Sequence, residues 1–538
     1  MRGINLYIFF SLSFLPALLG AQNDSLVGIR PSKLKSFGKN AAMQGDPLNA
    51  IPYLEKYLKY KPNDSKTVYL LAGCYMNTRD YMLAQETYKK AYDLDHQKFV
   101  LALFYEATML KMLGDYDKAK EIFSKFIKEY KTKPLSYKKL AISEIQGCDT
   151  AKSLLAIPSK VIVSHMDTSI NKVNMELSPI SLNDSTFIYA SLRTNKKEYY
   201  YVSDTARIPV RKFYYAVRNK GEWKYKGEWN GSFNSADINT GNGSFSPDGK
   251  RFYFTRCKQN WKNQTICSIY VSTLTNGAWS EPVILNKKIN DPNYTSTQPT
   301  VEFDAVKKKE LIYFASNRPN GKGGMDIWFT AYDEKKNTYS NPKNAGTKIN
   351  TLNDEVTPFF DQETHTLFYS SNGKSGIGGL DIYKSVGSGT KWSEPVNVGS
   401  PINSSSDDTY YSVAKNRQEG FFVSNRKGGN TLKNATCCDD IYSFKLKQYV
   451  RIGVCGTLSE FEKDSLQKLV SPNTVISVYY LDKKNNNEPL FIKSMTTDSA
   501  GKYCLTLEQG NLYKIVATKD GFFNNQYELS TKNINESK

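Results

Sequence analysis

Asn317-Arg318-Pro319-Asn320-Gly321-Lys322-Gly323-Gly324-Met325-Asp326-Ile327-Trp328 lies past the middle of a 538-residue chain and decides how the chain is read. The apolar run Leu311–Ser316 precedes it, and a second strand-like run begins at Asp326. The phrase returns as LFYSSNGKSGIGGLDIY, from Leu367 to Tyr383. Worn copies read FFVSNRKGG…DDIY (Phe421 to Tyr442) and RFYFTR…CSIY (Arg251 to Tyr270). An aromatic strand, a Gly-rich turn and an x-Ile-aromatic strand make one hairpin. A hairpin reiterated at a long period marks a radial array of sheets.

Five aromatic strands align on Ile188, Tyr253, Tyr313, Phe368 and Phe421, at spacings of 65, 60, 55 and 53. A second register, Trp223, Trp279, Tyr339 and Trp392, sits in GEWKY, GAWSEP, NTYSNP and TKWSEP. A further strand (SFSPDGK, QPTVEFD, VTPFFDQ) leads into the next unit. Four strands per unit make a propeller blade, so residues 160–447 are predicted to form a β-propeller of five blades, six being possible. The segment Val161-Ile162-Val163 is expected to pair with the last blade and close the ring, which removes free edges. The turn Ser246–Gly249 and the G-x-G-G-x-D-I-aromatic stretches at Gly321–Trp328 and Gly376–Tyr383 resemble WD-type and TolB-like propeller repeats of periplasmic proteins. Asp326, Asp381 and Asp440 read either as calcium ligands or, preferably, as acidic residues that tie a Gly-rich turn to its own backbone.

Upstream, residues 28–155 carry a helical pattern. Ala50, Ala84 and Ala119 recur at intervals of 34 and 35, followed at four residues by Leu54, Tyr88 and Phe123 and at seven by Tyr57, Ala91 and Phe126. Gly45 and Gly114 each lie five residues ahead of the alanine, and Pro62 twelve after Ala50. A small residue where two helices touch, with bulky residues one and two turns on, suits helix pairs that stack. This resembles the tetratricopeptide repeat, an α-helical solenoid, with residues 134–155 as a polar-faced capping helix. That resemblance implies a peptide-holding groove lined by Lys35, Lys39, Tyr69, Asn77, Phe104 and Lys111, and three lysines there imply an acidic or C-terminal carboxylate partner.

From 450 to 530 the strands alternate again: GVCGTLSE, VISVYYLD and TTDSAGKYCLTLEQGNLYKIVATKDGF. The D-x-x-G-x-Y turn (Asp498 to Tyr503) and Y-x-I-x-A-x-K-x-G-F (Tyr513 to Phe522) resemble a carboxypeptidase regulatory-like β-sandwich, a module without catalysis of its own. Residues 531–538 read as a tail or linker.

Composition bounds the function. With 72 Lys+Arg against 53 Asp+Glu the formal charge is +19. The basic residues are dispersed, with no run longer than three, so a solvated basic surface is expected and no nucleic-acid partner. Residues 1–21 have a short positive start, an apolar stretch and a Gly20-Ala21 close, the pattern of a secretory signal peptide. No later apolar window is long enough for a transmembrane span. Eight Cys in an exported chain read as disulfides first. Cys257 and Cys267 face each other across a predicted hairpin, Cys455 and Cys504 lie on neighbouring predicted strands, and Cys437-Cys438 is a vicinal pair. Three isolated His (His96, His165, His365) disfavour zinc, and no cofactor is expected.

No G-x-S-x-G elbow, H-E-x-x-H, P-loop or dinucleotide fingerprint occurs. The pairs Asp407-Asp408 and Asp439-Asp440 fall in predicted turns, where solvated carboxylates are expected. The chain is therefore expected not to be an enzyme. The order of helical repeats, propeller and sandwich resembles the multidomain OmpA-family outer-membrane-associated proteins, in particular the PorE-type component of the type IX secretion system. That resemblance implies a periplasmic, outer-membrane-associated scaffold for protein partners in a secretion or envelope assembly. In that family a peptidoglycan-binding OmpA-like domain follows the sandwich. Within these 538 residues it has no counterpart, so peptidoglycan binding is expected only if one exists downstream. The second expectation is a glycan- or peptide-binding sensor that uses the propeller mouth.

Overall fold

The computed structural model describes residue 26 and residues 28–193, 210–229, 231–260, 264–304, 308–430, 434–461, 467–482, 488–534 and 536–537. Residues 1–21, expected to be a signal peptide, lie outside them.

Among the described residues seven helices come first: α1 Pro31–Met43, α2 Pro47–Tyr60, α3 Ser65–Asn77, α4 Tyr81–Leu94, α5 Leu101–Met112, α6 Tyr116–Glu129 and α7 Ser136–Leu155. Asp46, Asp64, Asp80 and Asp115 precede α2, α3, α4 and α6, and each side chain accepts a backbone N–H of the first turn. A short acidic side chain there satisfies an orphan donor and complements the helix dipole. Ala50, Ala84 and Ala119 have no exposed surface. Gly38, Ala72 and Ala107 stand twelve residues earlier on the partner helices and are buried as well. A methyl on Gly38 would come within 2.6 Å of Leu54 Cδ2.

Among the described residues five antiparallel sheets follow. The first runs through Glu176–Asn183, Thr186–Ser191, Lys212–Asn219 and Glu222–Glu228. The second uses Asn239–Phe245, Arg251–Gln259 and Thr265–Thr275, edged by Ala278–Trp279 and Val283–Ile284. The third uses Ser296–Asp304, Lys309–Ser316 and Asp326–Asp333, edged by Thr338–Tyr339 and Lys343–Asn344. The fourth uses Glu355–Asp361, Thr366–Ser371 and Asp381–Ser388, edged by Lys391–Trp392 and Val396–Asn397. The fifth takes Asp408–Val413, Glu419–Ser424 and Asp440–Leu446, and its fourth strand is Val161–His165 from the start of the region. Val161 pairs with Leu446 and Val163 with Phe444, as the sequence led us to expect.

The first strands touch in order around a circle, and that of the fifth sheet meets that of the first. Each carries a bulge at the same place, with a left-handed residue: Ser178, Asn242, Gln298, Thr357 and Tyr410. The extra residue bends the strand and re-aims its side chain. Gln298 Nε2 donates to the Tyr410 hydroxyl at 3.1 Å, and its Oε1 accepts the Thr357 N–H at 2.9 Å. The Tyr410 N–H donates to Thr357 Oγ1 at 3.2 Å.

A second repeated device holds each sheet to the loop that follows it. The side-chain amides of Asn234, Asn290, Asn350 and Asn403 pair with both backbone groups of Phe213, Ile269, Ile327 and Ile382, at 2.7–3.0 Å. In the fifth sheet the partner of Ile441 is Asn171, from the start of the region, at 2.9 and 3.0 Å. The ring seam is thus sealed by a strand and by an amide clamp, both from the same N-terminal segment.

The acidic residues of the Gly-rich turns point into their own loops. Asp326 accepts the N–H groups of Lys322 and Gly323 and the Asn344 amide. Asp381 accepts those of Ile377 and Gly378 and the Asn397 amide, and Asp440 that of Asn430 together with His165. Of the two readings of these residues, the geometry shows the turn-tying one.

The last unit has a four-stranded sheet in the order Pro489–Thr496, Val475–Leu481, Leu512–Thr518, Asn525–Ser530, with Ile452–Thr457 paired to Lys502–Leu507 and Ser459–Phe461 to Lys468–Val470. It abuts the fourth and fifth sheets: Asp482 Oδ2 accepts the Glu394 N–H at 3.0 Å, and Arg417 reaches Glu508 at 3.5 Å. Sulfurs bond between Cys257 and Cys267, Cys455 and Cys504, and Cys437 and Cys438.

Three carboxyls at the starts of first strands are buried, Glu176, Glu355 and Asp408, and among the described residues the first two have no basic side chain bonded to them. Glu176 accepts from Ser191 Oγ and the Lys172 N–H, and Glu355 from Ser371 Oγ and Thr351. Burial outweighs these bonds and pushes Glu176 up to about 8 and Glu355 up to about 7. Between the ordinary carboxyl range and these values the folded protein holds protons that the unfolded chain has lost, so stability falls as pH rises. The thermal midpoint of the ring is expected to drop from pH 5 to pH 8, and Glu176→Gln with Glu355→Gln to flatten that slope; an unaltered slope in the double variant would refute the assignment. Replacing Asn350 by Leu strands the N–H and C=O of Ile327 and is expected to cost about 2–4 kcal/mol in denaturant unfolding.

Candidate functional site at the arm–ring junction

The six groove positions expected from the repeat register do not form one open surface. Phe104 is interior, ringed by Phe123, Phe126 and Tyr137 at 5.5–5.6 Å. Lys111 is 3% exposed and its Nζ binds Glu144 of α7 at 2.7 Å. Lys35 pairs with Asp64 at 2.6 Å, where the Tyr57 hydroxyl also donates. Burial opposes that carboxylate, yet these bonds hold it down to about 2. Tyr69 is half-buried and stacks on Phe99 at 4.9 Å, Asn77 is half-buried near the end of α3, and Lys39 is exposed on α1. The expectation that three lysines line one groove is therefore corrected: Lys111 is buried against Glu144 and Lys35 is paired with Asp64, which leaves Lys39 as the exposed one of the three.

The polar chemistry of the arm is concentrated elsewhere, at the turns between paired helices. In the first and third pairs those turns carry Gly45 and Gly114, left-handed at φ 77° and 85°. The middle pair has Arg79 at the same place, also left-handed at φ 59°. A non-glycine residue in that region is strained by about 1 kcal/mol or more, and it persists where surrounding contacts over-determine it.

Those contacts come from the ring. Arg79 Nη1 donates to Asp439 at 2.6 Å, and Nη2 lies 3.6 Å from Asp407. Its carbonyl accepts from Thr436 Oγ1 at 2.6 Å, and the Thr78 carbonyl accepts from the Asn434 amide at 3.2 Å. Beside it the Tyr81 hydroxyl accepts from Asn425 at 2.8 Å. The Arg79 side chain is 15% exposed and those of Asp407 and Asp439 13% and 11%. Burial alone would push the guanidinium down; Asp439 and Asp407 reverse that and hold it protonated. The solvated carboxylates expected at Asp407-Asp408 and Asp439-Asp440 are thus corrected. Asp408 binds Arg426 at 2.6 Å, Asp440 binds His165 at 2.7 Å, and the other two clamp the arm.

A second contact lies one sheet along. Ile377, in the Gly-rich turn of the fourth sheet, has no exposed surface and packs in the helical core with Met112 and Cys148. Gly379 permits this approach, since a Cβ there would meet Met112 Cε at 2.8 Å and Asp407 Oδ1 at 2.3 Å. The vicinal Cys437–Cys438 disulfide sits between Thr436 and Asp439, both of which hold Arg79. Chemically the junction is a salt-bridged, apolar-pegged clamp. Sequence reasoning missed Arg79 and Ile377, although each departs from its repeat: an arginine where Gly45 and Gly114 stand, and an isoleucine where the third-sheet turn has Lys322.

The helices form a tetratricopeptide-like region. Residues 43–126 match the family model described as anaphase-promoting complex, cyclosome, subunit 3. No curated protein matches the chain. Among solved structures the arm is similar to the TPR2B domain of yeast Sti1 in its pHsp70 complex, at 18% identity, 22% of this chain, 96% of that one and a TM-score of 0.21. It is similar also to the Yersinia enterocolitica type III secretion translocator chaperone SycD, at 18% identity, 25% and 89% coverage and a TM-score of 0.21. Over 69% of this chain and 89% of that one there is a likeness to Trypanosoma rangeli sialidase, at 9% identity and a TM-score of 0.32. Likeness at these levels carries no activity over.

Removing the Arg79 side chain leaves two carboxylates buried without their cation, which costs about 3–5 kcal/mol. Arg79→Gly also relieves the backbone strain, so the arm itself is expected to gain slightly while its docking fails. Calorimetry should then resolve separate arm and ring transitions where the parent chain shows coupled ones. A single unshifted transition in the variant would show that the clamp holds nothing.

Proposed function

We propose that this chain is a non-enzymatic scaffold, exported and held at the cell envelope, in which a five-bladed β-propeller fixes a helical arm on one face and a β-sandwich on the other. The observation that carries the reading is Arg79, a strained residue whose conformation and charge serve to lock arm to ring. A locked arm presents its remaining surface at a fixed angle to the ring, which suits an adaptor that positions protein partners relative to one another. The apolar stretch at residues 1–21 supports export, and the OmpA-family and type IX secretion resemblance supports an outer-membrane assembly as its place of work. The acidic residues of the turns are engaged in hydrogen bonds and ion pairs, which favours architecture over acid–base chemistry. Bulge residues of three sheets bond across the centre, so the mouth gives no particular support to the glycan-sensor reading.

Partner binding is expected through the exposed part of the arm. Crosslinking of the full chain in native envelopes should yield defined adducts through α1 to α4. Tyr60, the last residue of α2, is about half exposed, and Lys39→Glu with Tyr60→Ser should reduce the adducts at least about tenfold without lowering the melting temperature. Recovery of the chain alone, or identical adducts from the variant, counts against the scaffold reading.

A further inference from the structure

The sandwich has an end turned away from the ring, and apolar side chains crowd it. Val475–Leu481 gives the axis: next to Leu481, Asp482 touches the ring, while Val475 lies at the other end opposite Thr518. A strand of that length spans about 20 Å. From the far end project the turn Lys519–Phe523 and the hairpin Ser459–Phe461 with Lys468–Val470. Lys519 ties the two, pairing with Glu460 and reaching Ser471 Oγ at 3.3 Å. Around this tie Phe461, Val470 and Phe522 are about half exposed, and Phe523 is wholly in solvent. Gly521, left-handed at φ 81°, lets the chain reverse so that the two phenylalanines lead.

We propose that this pole is a lipid-docking tip that places Phe522 and Phe523, with Phe461 beside them, in the interfacial layer of a bilayer containing anionic lipid. Phe523 stands wholly in solvent, and a bilayer accepts a protruding ring without a matching contour. The chemistry suits that boundary. Lys519 Nζ lies 5.3 Å from the Phe522 ring and Lys468 Nζ 5.9 Å from the Phe461 ring, so cations stay at headgroup level while rings pass below. The chain's charge of +19 draws it to an anionic surface. Glu460 and Asp520 accompany the two lysines, so affinity at the tip comes from the rings. The inference stands apart from the scaffold reading and does not require it.

The test is co-sedimentation of the full chain with phosphatidylcholine vesicles, with and without phosphatidylglycerol. The parent is expected to bind both, more tightly with the anionic lipid, and Phe522→Ser with Phe523→Ser to weaken binding by about a hundredfold. Phe523→Ser alone, at a side chain in full solvent, is expected to weaken binding without a change in melting temperature. Tyr60→Ser on the arm serves as control and should leave binding intact. No sedimentation of the parent, or equal sedimentation of parent and double variant, overturns the proposal. So does a dimer in sedimentation velocity that the double variant abolishes while vesicles are ignored, because a second copy is then the occupant.

Discussion

An asparagine amide that replaces a missing strand neighbour, used five times, is the constraint on which this molecule rests. A side-chain amide offers one acceptor and two donors, enough to saturate the N–H and C=O of one residue in a third strand. Water is excluded there: Ile269, Ile327, Ile382 and Ile441 have no exposed surface. Leaving such groups unmade costs more than making them returns, so each clamp acts mainly as a prohibition on any other loop path. The residue before each asparagine is apolar and buried (Ile170, Phe233, Ile289, Ile349, Ile402), so the same dipeptide supplies the peg and the clip. Sheet, loop and next sheet are then held in one spacing around the circle.

That dipeptide also shows where reading the chain stopped short. The aromatic strands and Gly-rich turns were legible because strand alternation and glycine punctuation are strong local signals. So were the helix pairs, through Ala50, Ala84 and Ala119. Ile-Asn is two residues long and falls in loops, where periodicity says nothing, although its recurrence at 170, 289, 349 and 402 marks the sheets and the seam alike. The candidate site was less legible still. Asp407 and Asp439 lie in turns, and turns are usually wet; what dries them is Arg79, more than three hundred residues away. The groove register erred at Phe104 and Lys111 because α7 packs against α5 and takes both side chains into the interior, a tertiary effect that repeat spacing cannot carry.

The junction differs in kind from the clamps. Amide pairs satisfy neutral groups at little desolvation cost, whereas Arg79 brings three charges out of water. Buried charge clusters add little net stability, yet they tolerate few alternatives, because any misplacement leaves a charge alone. With Ile377 as an apolar peg, that intolerance fixes the arm's orientation, and a fixed orientation is what a spacing device requires.

The seam sets how the molecule carries force. The arm leads into Val161 and the sandwich leads out of Leu446, residues that lie opposite each other, with the Lys447 N–H bonded to the Lys160 carbonyl at 2.9 Å. A pull on the two appendages would meet at that single backbone pair and peel the strands one bond at a time. Because the arm is tied to one side of the ring through Arg79 and the sandwich to the other through Asp482 and Arg417, tension between them would be shared by those contacts before it reached the closure.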